Sequence, residues 1–157
     1  MSRKSSKQPP IIVSACLAGE ACRYDGGARP NKEVIALVKS GRAIAVCPEV
    51  LAGLPTPRTP AEIMTTADGS RRAVCRDGTD LTELFRTGAK KAAAIAKTHG
   101  CTEAILMGRS PSCGHGSPDL DSAGGIYSGD FDGKLVEGSG FFAQELLKMG
   151  IKIATRR

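Results

Sequence analysis

The sequence predicts a single α/β domain of three layers, with a mainly parallel sheet of about four strands and a small hairpin flap. The first observation is a set of short apolar runs in which no polar residue alternates, a pattern typical of strands buried on both faces. The second is that segments of helical periodicity separate these runs, and such alternation forms parallel sheets through right-handed crossovers. The 157 residues, 41% of them hydrophobic, are enough for one core. We expect this domain at residues 11–157, after a disordered basic tail at residues 1–10.

The first half of the chain contributes two strands and one helix. Both strands are apolar runs that lead directly into a cysteine, and they cover residues 11–15 and 43–46. Asn31 is a good helix N-cap, because its side-chain oxygen can accept from a free backbone N–H of the first turn. Gly41 is a good C-terminal stop, so we expect a helix over residues 32–40. The stretch PEVLAGLPTPRTP after the second strand favours a loop because of its prolines.

The second half contributes a flap, two helices and two strands. Residues 62–76 read as extended pieces around Asp68-Gly69, which favours a tight hairpin turn. A long helix is expected to begin after Thr79 or Asp80 and to end near Thr98. Its buried face follows a spacing of three and four residues and carries Leu81, Leu84, Phe85, Gly88, Ala92, Ile95 and Ala96. The remaining elements are a strand at 103–107, a helix at 141–149 capped by Ser139, and a strand at 151–154.

The positive charge is expected to lie mostly at the two ends of the chain. The net charge is +6, and subtracting the five terminal basic residues Arg3, Lys4, Lys7, Arg156 and Arg157 leaves +1 for the folded part. Proteins that bind nucleic acid usually combine a basic face with aromatic side chains for stacking, whereas this chain has no Trp, two Tyr and four Phe. We therefore expect no nucleic-acid partner. The absence of a long apolar stretch or signal peptide predicts a cytoplasmic protein with no membrane partner and with reduced cysteines.

Three of the six cysteines follow expected strands. Cys16 and Cys47 each end a strand and Cys113 lies in the loop after the third strand, and the carboxyl ends of parallel strands meet at the edge where ligands bind. Three thiolates suit a [4Fe–4S] cluster, which takes one thiolate per iron and would keep one iron open. The alternatives are three small buried side chains, or a zinc ion with His99 or His115 as fourth ligand.

The other three cysteines differ in their surroundings. Cys22 lies in a glycine-rich loop only six residues after Cys16, which makes it a possible fourth ligand. Cys75 falls in the expected flap and Cys101 at a turn on the opposite edge of the sheet. We expect Cys75 and Cys101 to be structural or incidental.

Polar side chains are expected around the three thiols. Glu49 follows Cys47 by two residues, where its carboxylate could act as a general base or could be only a solvated or capping charge. Ser110 precedes Cys113 by three residues and could hold a proton or orient a substrate oxygen, or could simply form a turn before Pro111. The side chains that we expect to contact a substrate at this edge are Arg23, Tyr24, Asp25, Arg58 and Ser112.

Five stretches of the chain form an ordered set of motifs. They are VSACLAG (13–19), CRYDGG (22–27), CPEVLAGLPTPRTPAEI (47–63), SPSCG (110–114) and GIYSGDFDG (125–133). Together they resemble the bacterial family of thiouracil desulfidases, and the resemblance runs from about residue 11 to residue 153. It implies a [4Fe–4S] enzyme that replaces the sulfur of a thiolated pyrimidine, such as 2-thiouracil, by oxygen and releases H2S without net redox change.

The resemblance also implies roles for individual residues. Cys16, Cys47 and Cys113 would hold the cluster, and the thiocarbonyl sulfur of the substrate would bind the open iron. Glu49 would activate water toward the ring carbon, and Ser110 would assist proton transfer. The alternative is a non-catalytic cluster protein that carries or senses sulfide. The stretch HGSPDLDSA (115–123) is longer than the usual connection and is expected to reshape the mouth of the pocket.

Overall fold

The computed structural model describes residues 8–157, and its centre is a four-stranded sheet in the order β10-β5-β1-β2. All three neighbouring pairs are parallel, and Ile12 and Val13 in the inner strand β1 are completely buried. The predicted parallel sheet is therefore confirmed. In chain order the elements are β1 (Ile11–Ser14), a 3-10 helix (Ala15–Ala18), α1 (Lys32–Lys39), β2 (Ala43–Val46), α2 (Pro48–Leu51), β3 (Ala61–Thr65), β4 (Arg71–Cys75), α3 (Thr82–Thr98), β5 (Glu103–Met107), β6 (His115–Gly116), β7 (Ile126–Tyr127), β8 (Leu135–Val136), β9 (Gly138–Ser139), α4 (Phe141–Lys148) and β10 (Lys152–Arg156).

The connections between strands lead toward opposite edges of the sheet. The connection from β1 through α1 leads to β2 on one side, and the connection from β5 through α4 leads to β10 on the other. Right-handed crossovers therefore place α1 and α4 on opposite faces, and α3 packs beside α4. The connections that follow the neighbouring strands β1 and β5 lead to opposite edges of the sheet, so a crevice is expected between these two strands, outside their carboxyl ends.

The helix starts follow the sequence prediction only in part. Asn31 caps α1 as predicted, since its Oδ1 accepts from Val34 N at 3.1 Å. The predicted cap of α3 at Thr79 or Asp80 is wrong, because Leu81 takes that position. Asp80 accepts from Thr82 N, the first N–H group of the helix, at 2.9 Å, so its side chain still satisfies one of the free donors of α3.

The predicted cap of α4 at Ser139 is also wrong. Gly140 takes the capping position without a side-chain hydrogen bond. The first N–H groups of α4 donate to main-chain carbonyls of the distant loop after β5, with Phe141 N on Pro111 O and Phe142 N on Ser112 O. The helix thus satisfies its free donors through tertiary contacts.

Helix α2 lies inside the segment predicted as a loop. Pro48 fits its first turn because that position needs no N–H donor. The helix packs against α3 at Gly88, where a Cβ atom would lie 2.0 Å from Pro48 O, so only glycine permits this approach. Leu84, which was expected on the buried face of α3, is 40% exposed.

The predicted hairpin flap is confirmed as β3 and β4, which pair antiparallel on either side of a turn at Asp68-Gly69. Two further antiparallel ladders, β6 with β9 and β7 with β8, close the loops after β5. These ladders have no signal in the sequence, because strands of two residues are too short to show a periodicity.

The C-terminal arginines belong to the fold. Arg156 pairs with Met107 in the sheet, and Arg157 Nη1 donates to Gly108 O at 3.0 Å. Counting them as terminal charge was therefore wrong. With only the three basic residues at positions 3, 4 and 7 set apart from the net +6, residues 8–157 carry +3. The prediction of a disordered tail falls, for residues 1–7, outside the described residues.

Cys75 and Cys101 are buried in the hydrophobic core, which is consistent with a structural role. Within residues 8–157 no helix has the length and apolar character needed to span a bilayer.

Candidate active site

A cavity of about 350 Å³ opens at the carboxyl ends of β1, β2 and β5. It lies where the reversal of chain direction between β1 and β5 predicts a ligand crevice. Its walls come from the loops that follow these strands, the start of β3 and the last residue of the chain. The lining residues that carry functional groups are Ser14, Cys16, Cys22, Arg23, Tyr24, Cys47, Glu49, Arg58, Glu62, Arg76, Arg109, Ser110, Ser112, Cys113, Tyr127 and Arg157.

The three cysteines that follow strands reach this cavity by different local structures. Cys16 lies in the 3-10 helix after β1 and is 8% exposed. Cys47 follows β2 and caps α2. Cys113 lies in the loop after β5 and is 5% exposed. The structure thus brings the three thiols to one cavity, and their role as ligands remains a prediction.

Cys22 is a fourth thiol in the same cavity. Its thiol is hydrogen-bonded to Cys47, and this bond lowers the pKa of Cys47 to about 7. The same bond, followed by burial, raises the pKa of Cys22. Burial and the nearby Cys47 raise the pKa of Cys16 to about 11, and burial raises the pKa of Cys113 well above its usual range.

Glu49 projects from the first turn of α2 and is held at both carboxylate oxygens. Arg58 Nε donates to Oε1 at 2.9 Å, and Ser112 Oγ donates to Oε2 at 2.9 Å. The side chains of Arg58 and Glu49 are only 7% and 13% exposed. Glu49 is therefore a fixed carboxylate inside the cavity, and the alternative of a solvated loop charge is wrong.

Ser110 forms the turn considered for it, and its role in proton transfer stays a prediction. Its Oγ accepts from Ser112 N at 3.0 Å and from Cys113 N at 2.9 Å, which shapes the turn that carries the cysteine. A hydroxyl has one proton to donate and two lone pairs. Both lone pairs are engaged here, so the Ser110 proton is available for a group in the cavity.

The predicted substrate contacts divide into three groups. Arg23 and Tyr24 line the cavity and stack on each other, with the guanidinium 5.6 Å from the ring centre. Asp25 is not among the lining residues; it accepts from Gly27 N at 2.9 Å and shapes the loop, so its predicted position at the cavity is wrong. Arg58 and Ser112 line the cavity but donate to Glu49.

Several residues that line the cavity were not predicted from the sequence to do so. Glu62 Oε1 accepts from Gly129 N at 3.0 Å and Phe131 N at 3.1 Å, and so fixes the loop after β7 above the cavity. The motif GIYSGDFDG contained this signal, since it supplies Tyr127 and Phe131. Arg109 has a left-handed backbone, with φ 73°, and Arg157 was set aside as a terminal charge.

Among residues 8–157, the metal-binding side chains of the cavity include thiols but no histidine. In the part of the chain that the structure describes, no group of three or more His, Cys, Asp and Glu side chains is placed to hold one metal ion. An iron–sulfur cubane takes one thiolate on each iron, so thiols that surround a cavity suit it. His115 is bonded to Ser139 at 2.8 Å and His99 to Ile95 O at 3.0 Å. Neither histidine lines the cavity, which removes the fourth ligand of the zinc alternative.

Comparison with known proteins gives three similarities. The profile of the family described as 2-thiouracil desulfurase matches residues 11–157. The uncharacterized protein YbbK of Bacillus subtilis (strain 168) is 39% identical over 148 residues, which cover 91% of this chain and 93% of YbbK. The solved structure of the [4Fe-4S]-dependent thiouracil desulfidase TudS (DUF523Vcz) superposes with a TM-score of 0.81 at 38% identity, covering 95% of this chain and 91% of TudS.

Proposed function

Because the chain belongs to the 2-thiouracil desulfurase family, we propose that it replaces the sulfur of a thiolated pyrimidine by oxygen with the help of a [4Fe–4S] cluster. The observation that carries this proposal is the convergence of three strand-end thiols and one fixed carboxylate on a single cavity. A carrier of sulfide needs the thiols but has no use for a buried base. The carboxylate therefore favours the enzyme over a non-catalytic cluster protein.

Cys16, Cys47 and Cys113 would hold the cluster. When bound, it supplies a Lewis-acidic iron without a protein ligand, to which a thiocarbonyl sulfur can bind. Arg23 and Tyr24 would contact the pyrimidine ring, because they form one stacked wall of the cavity.

Glu49 would serve as the general base. Its carboxylate would take a proton from a water molecule as the water oxygen bonds to the ring carbon that carries sulfur. Ser110 would donate its hydroxyl proton to the departing sulfur and regain a proton from the hydroxyl that water has added to the ring carbon, as the C=O bond forms. Glu49 would release the proton that it took from water to the hydrosulfide, which completes H2S and restores the carboxylate. The carbon–sulfur bond breaks as the carbon–oxygen bond is completed, so thione and water become oxo base and H2S with no electron transferred.

The test is sulfide release from 2-thiouracil by protein reconstituted anaerobically with iron and sulfide. We expect wild-type protein to bind about four irons and to release sulfide. Glu49→Gln keeps the size of the side chain and should keep the iron, but its turnover should fall by about a hundredfold or more, the usual effect of losing a general base. Glu145→Gln, at a partly exposed Glu in α4 that pairs with Lys148 and does not line the cavity, is the matched control and should have wild-type turnover.

Two results would contradict the proposal. Near-normal turnover in Glu49→Gln would place water activation elsewhere. Iron-loaded wild-type protein that releases no sulfide from any thiolated pyrimidine would favour the sulfide carrier. The ligand assignment has its own test, because Cys16→Ser, Cys47→Ser and Cys113→Ser should each lose the iron, whereas Cys75→Ser and Cys101→Ser should retain it.

A further inference from the structure

We propose that Arg58 and Ser112 are positioning residues that together clamp Glu49, an inference that rests on the proposed role of Glu49 as the base. Each side chain donates to a different carboxylate oxygen, at 2.9 Å in both cases. Two donors on opposite oxygens prevent the carboxylate from rotating about its last bond. Each oxygen keeps a second lone pair, so the carboxylate can still accept a proton from water.

The other hydrogen bonds of Arg58 hold its guanidinium in place beside Glu49. Nη2 donates to Cys22 O at 2.8 Å, and Nη1 donates to Pro55 O and Thr56 Oγ1, both at 3.1 Å. With the bond to Glu49, four of the five N–H groups of the guanidinium are used. Little of Arg58 is left to bind a substrate, and its side chain is only 7% exposed.

Ser112 is equally fixed. It is 2% exposed, its N–H donates to Ser110 Oγ, and its carbonyl accepts from Phe142 N and Ala143 N at the start of α4. Because the Ser112 backbone is held at both its N–H and its carbonyl and the hydroxyl is buried, the hydroxyl is fixed in one orientation. Since the next residue is Cys113, the clamp also fixes the base relative to one of the predicted cluster ligands.

The clamp therefore joins three segments that are distant in sequence: the loop with Cys22, the loop with Pro55 and Thr56, and the turn at residues 110–114. A displacement of about 1 Å at a reacting group can cost on the order of a hundredfold in rate. Loss of either donor should thus lower kcat. A residue that binds substrate would instead change mainly KM when it is replaced.

The experiment is a set of steady-state measurements of sulfide release from 2-thiouracil by cluster-loaded protein. We expect Arg58→Met to lower kcat by about ten- to a hundredfold with KM within about twofold of wild type, and Ser112→Ala to lower kcat in the same direction. Arg58→Lys should recover part of the loss, because lysine supplies a cation without the planar fork. Arg72→Met is the matched control, since Arg72 pairs with Asp80 at 2.7 Å and is not a lining residue.

A double variant separates positioning from independent action. If Arg58 acts through Glu49, adding Arg58→Met to Glu49→Gln should lower kcat by less than about twofold, because groups that act as a unit are not additive. A full further loss in the double variant would overturn the clamp. A KM increase of about tenfold at unchanged kcat in Arg58→Met would also overturn it and would make Arg58 a substrate contact.

Thermal unfolding supplies a measurement that does not depend on turnover. The melting temperature of the double variant should fall by less than the two single variants together, because residues in one hydrogen-bond network couple. Additive melting shifts would overturn the clamp even in an active enzyme. Conversely, wild-type protein that releases no sulfide contradicts the proposed function, while the melting temperatures still decide whether Arg58 and Glu49 are coupled.

Discussion

Replacing Gly88 by alanine tests how far the position of Glu49, the proposed base, depends on the packing of α2 against α3. Gly88 lies in α3, and the α2 helix that carries Glu49 rests on it. An alanine Cβ would lie 2.0 Å from Pro48 O and 3.0 Å from Ala52 Cβ. The first contact is with a backbone atom, which cannot rotate away, so α2 has to move.

The size of the effect follows from these distances. Ordinary contact begins at 3.4 Å, so α2 has to retreat by roughly 1.4 Å to accommodate the methyl group. Over-packing typically costs about 1–3 kcal/mol, and alanine recovers about 1 kcal/mol of helix propensity relative to glycine. The net loss of about 0–2 kcal/mol leaves a typical domain folded. Glu49 is the residue next to Pro48, and a shift of about 1 Å at a catalytic group can cost about a hundredfold in rate.

We therefore expect Gly88→Ala to lose far more turnover than stability. Urea unfolding would measure the stability, and sulfide release from 2-thiouracil would measure kcat on the same cluster-loaded sample. Thr87→Ala, at an exposed position of the same helix, is the control and should retain wild-type kcat. A Gly88→Ala protein with wild-type kcat would refute the reasoning, because it would show that α2 yields without moving Glu49.

Three further predictions follow from the cavity. In protein without a cluster, the pKa of about 7 at Cys47 predicts that alkylation of Cys47 by iodoacetamide reaches half its maximal rate near pH 7, while the buried Cys113 stays unmodified. Peptide mass spectrometry measures both reactions, and a midpoint near the ordinary thiol pKa would contradict the hydrogen bond between Cys47 and Cys22. Ser110→Ala should retain iron but lower kcat, and unchanged turnover would leave Ser110 with only its structural role in the turn. Glu62→Ala leaves two N–H groups of the loop after β7 without their acceptor, which costs about 1–3 kcal/mol, so we expect faster proteolysis at residues 128–133. A cleavage rate equal to that of wild type would contradict the role of Glu62 in holding this loop.

The parts of the fold that depend on local pattern could be predicted from the sequence. The β5 strand has its predicted bounds, because an apolar run bounded by polar residues needs no distant partner to define it. The meeting of Cys16, Cys47 and Cys113 at one cavity followed from topology, since parallel strands share an edge. The cap of α4 was mispredicted because its true partners, the carbonyls of Pro111 and Ser112, belong to another segment.

Side-chain geometry within the cavity could not be predicted in the same way. Arg58 was placed at the correct edge, but its bond to Glu49 depends on the path of the intervening loop and on rotamers that no sequence pattern encodes. Arg157 was discounted because a residue at the end of a chain is usually exposed. Here the pairing of β10 with β5 carries it into the cavity wall.

The attachment of α4 to the turn at residues 110–114 determines when the site can come into being. The first three residues of that helix donate to the carbonyls of Pro111 and Ser112, so the cysteine turn has its shape only once residues 140–143 are in place. During synthesis those residues leave the ribosome long after Cys16 and Cys47. A cluster held by Cys16, Cys47 and Cys113, as proposed above, would therefore assemble only after residues 140–143 have been synthesised, because the three thiols are not in place before then.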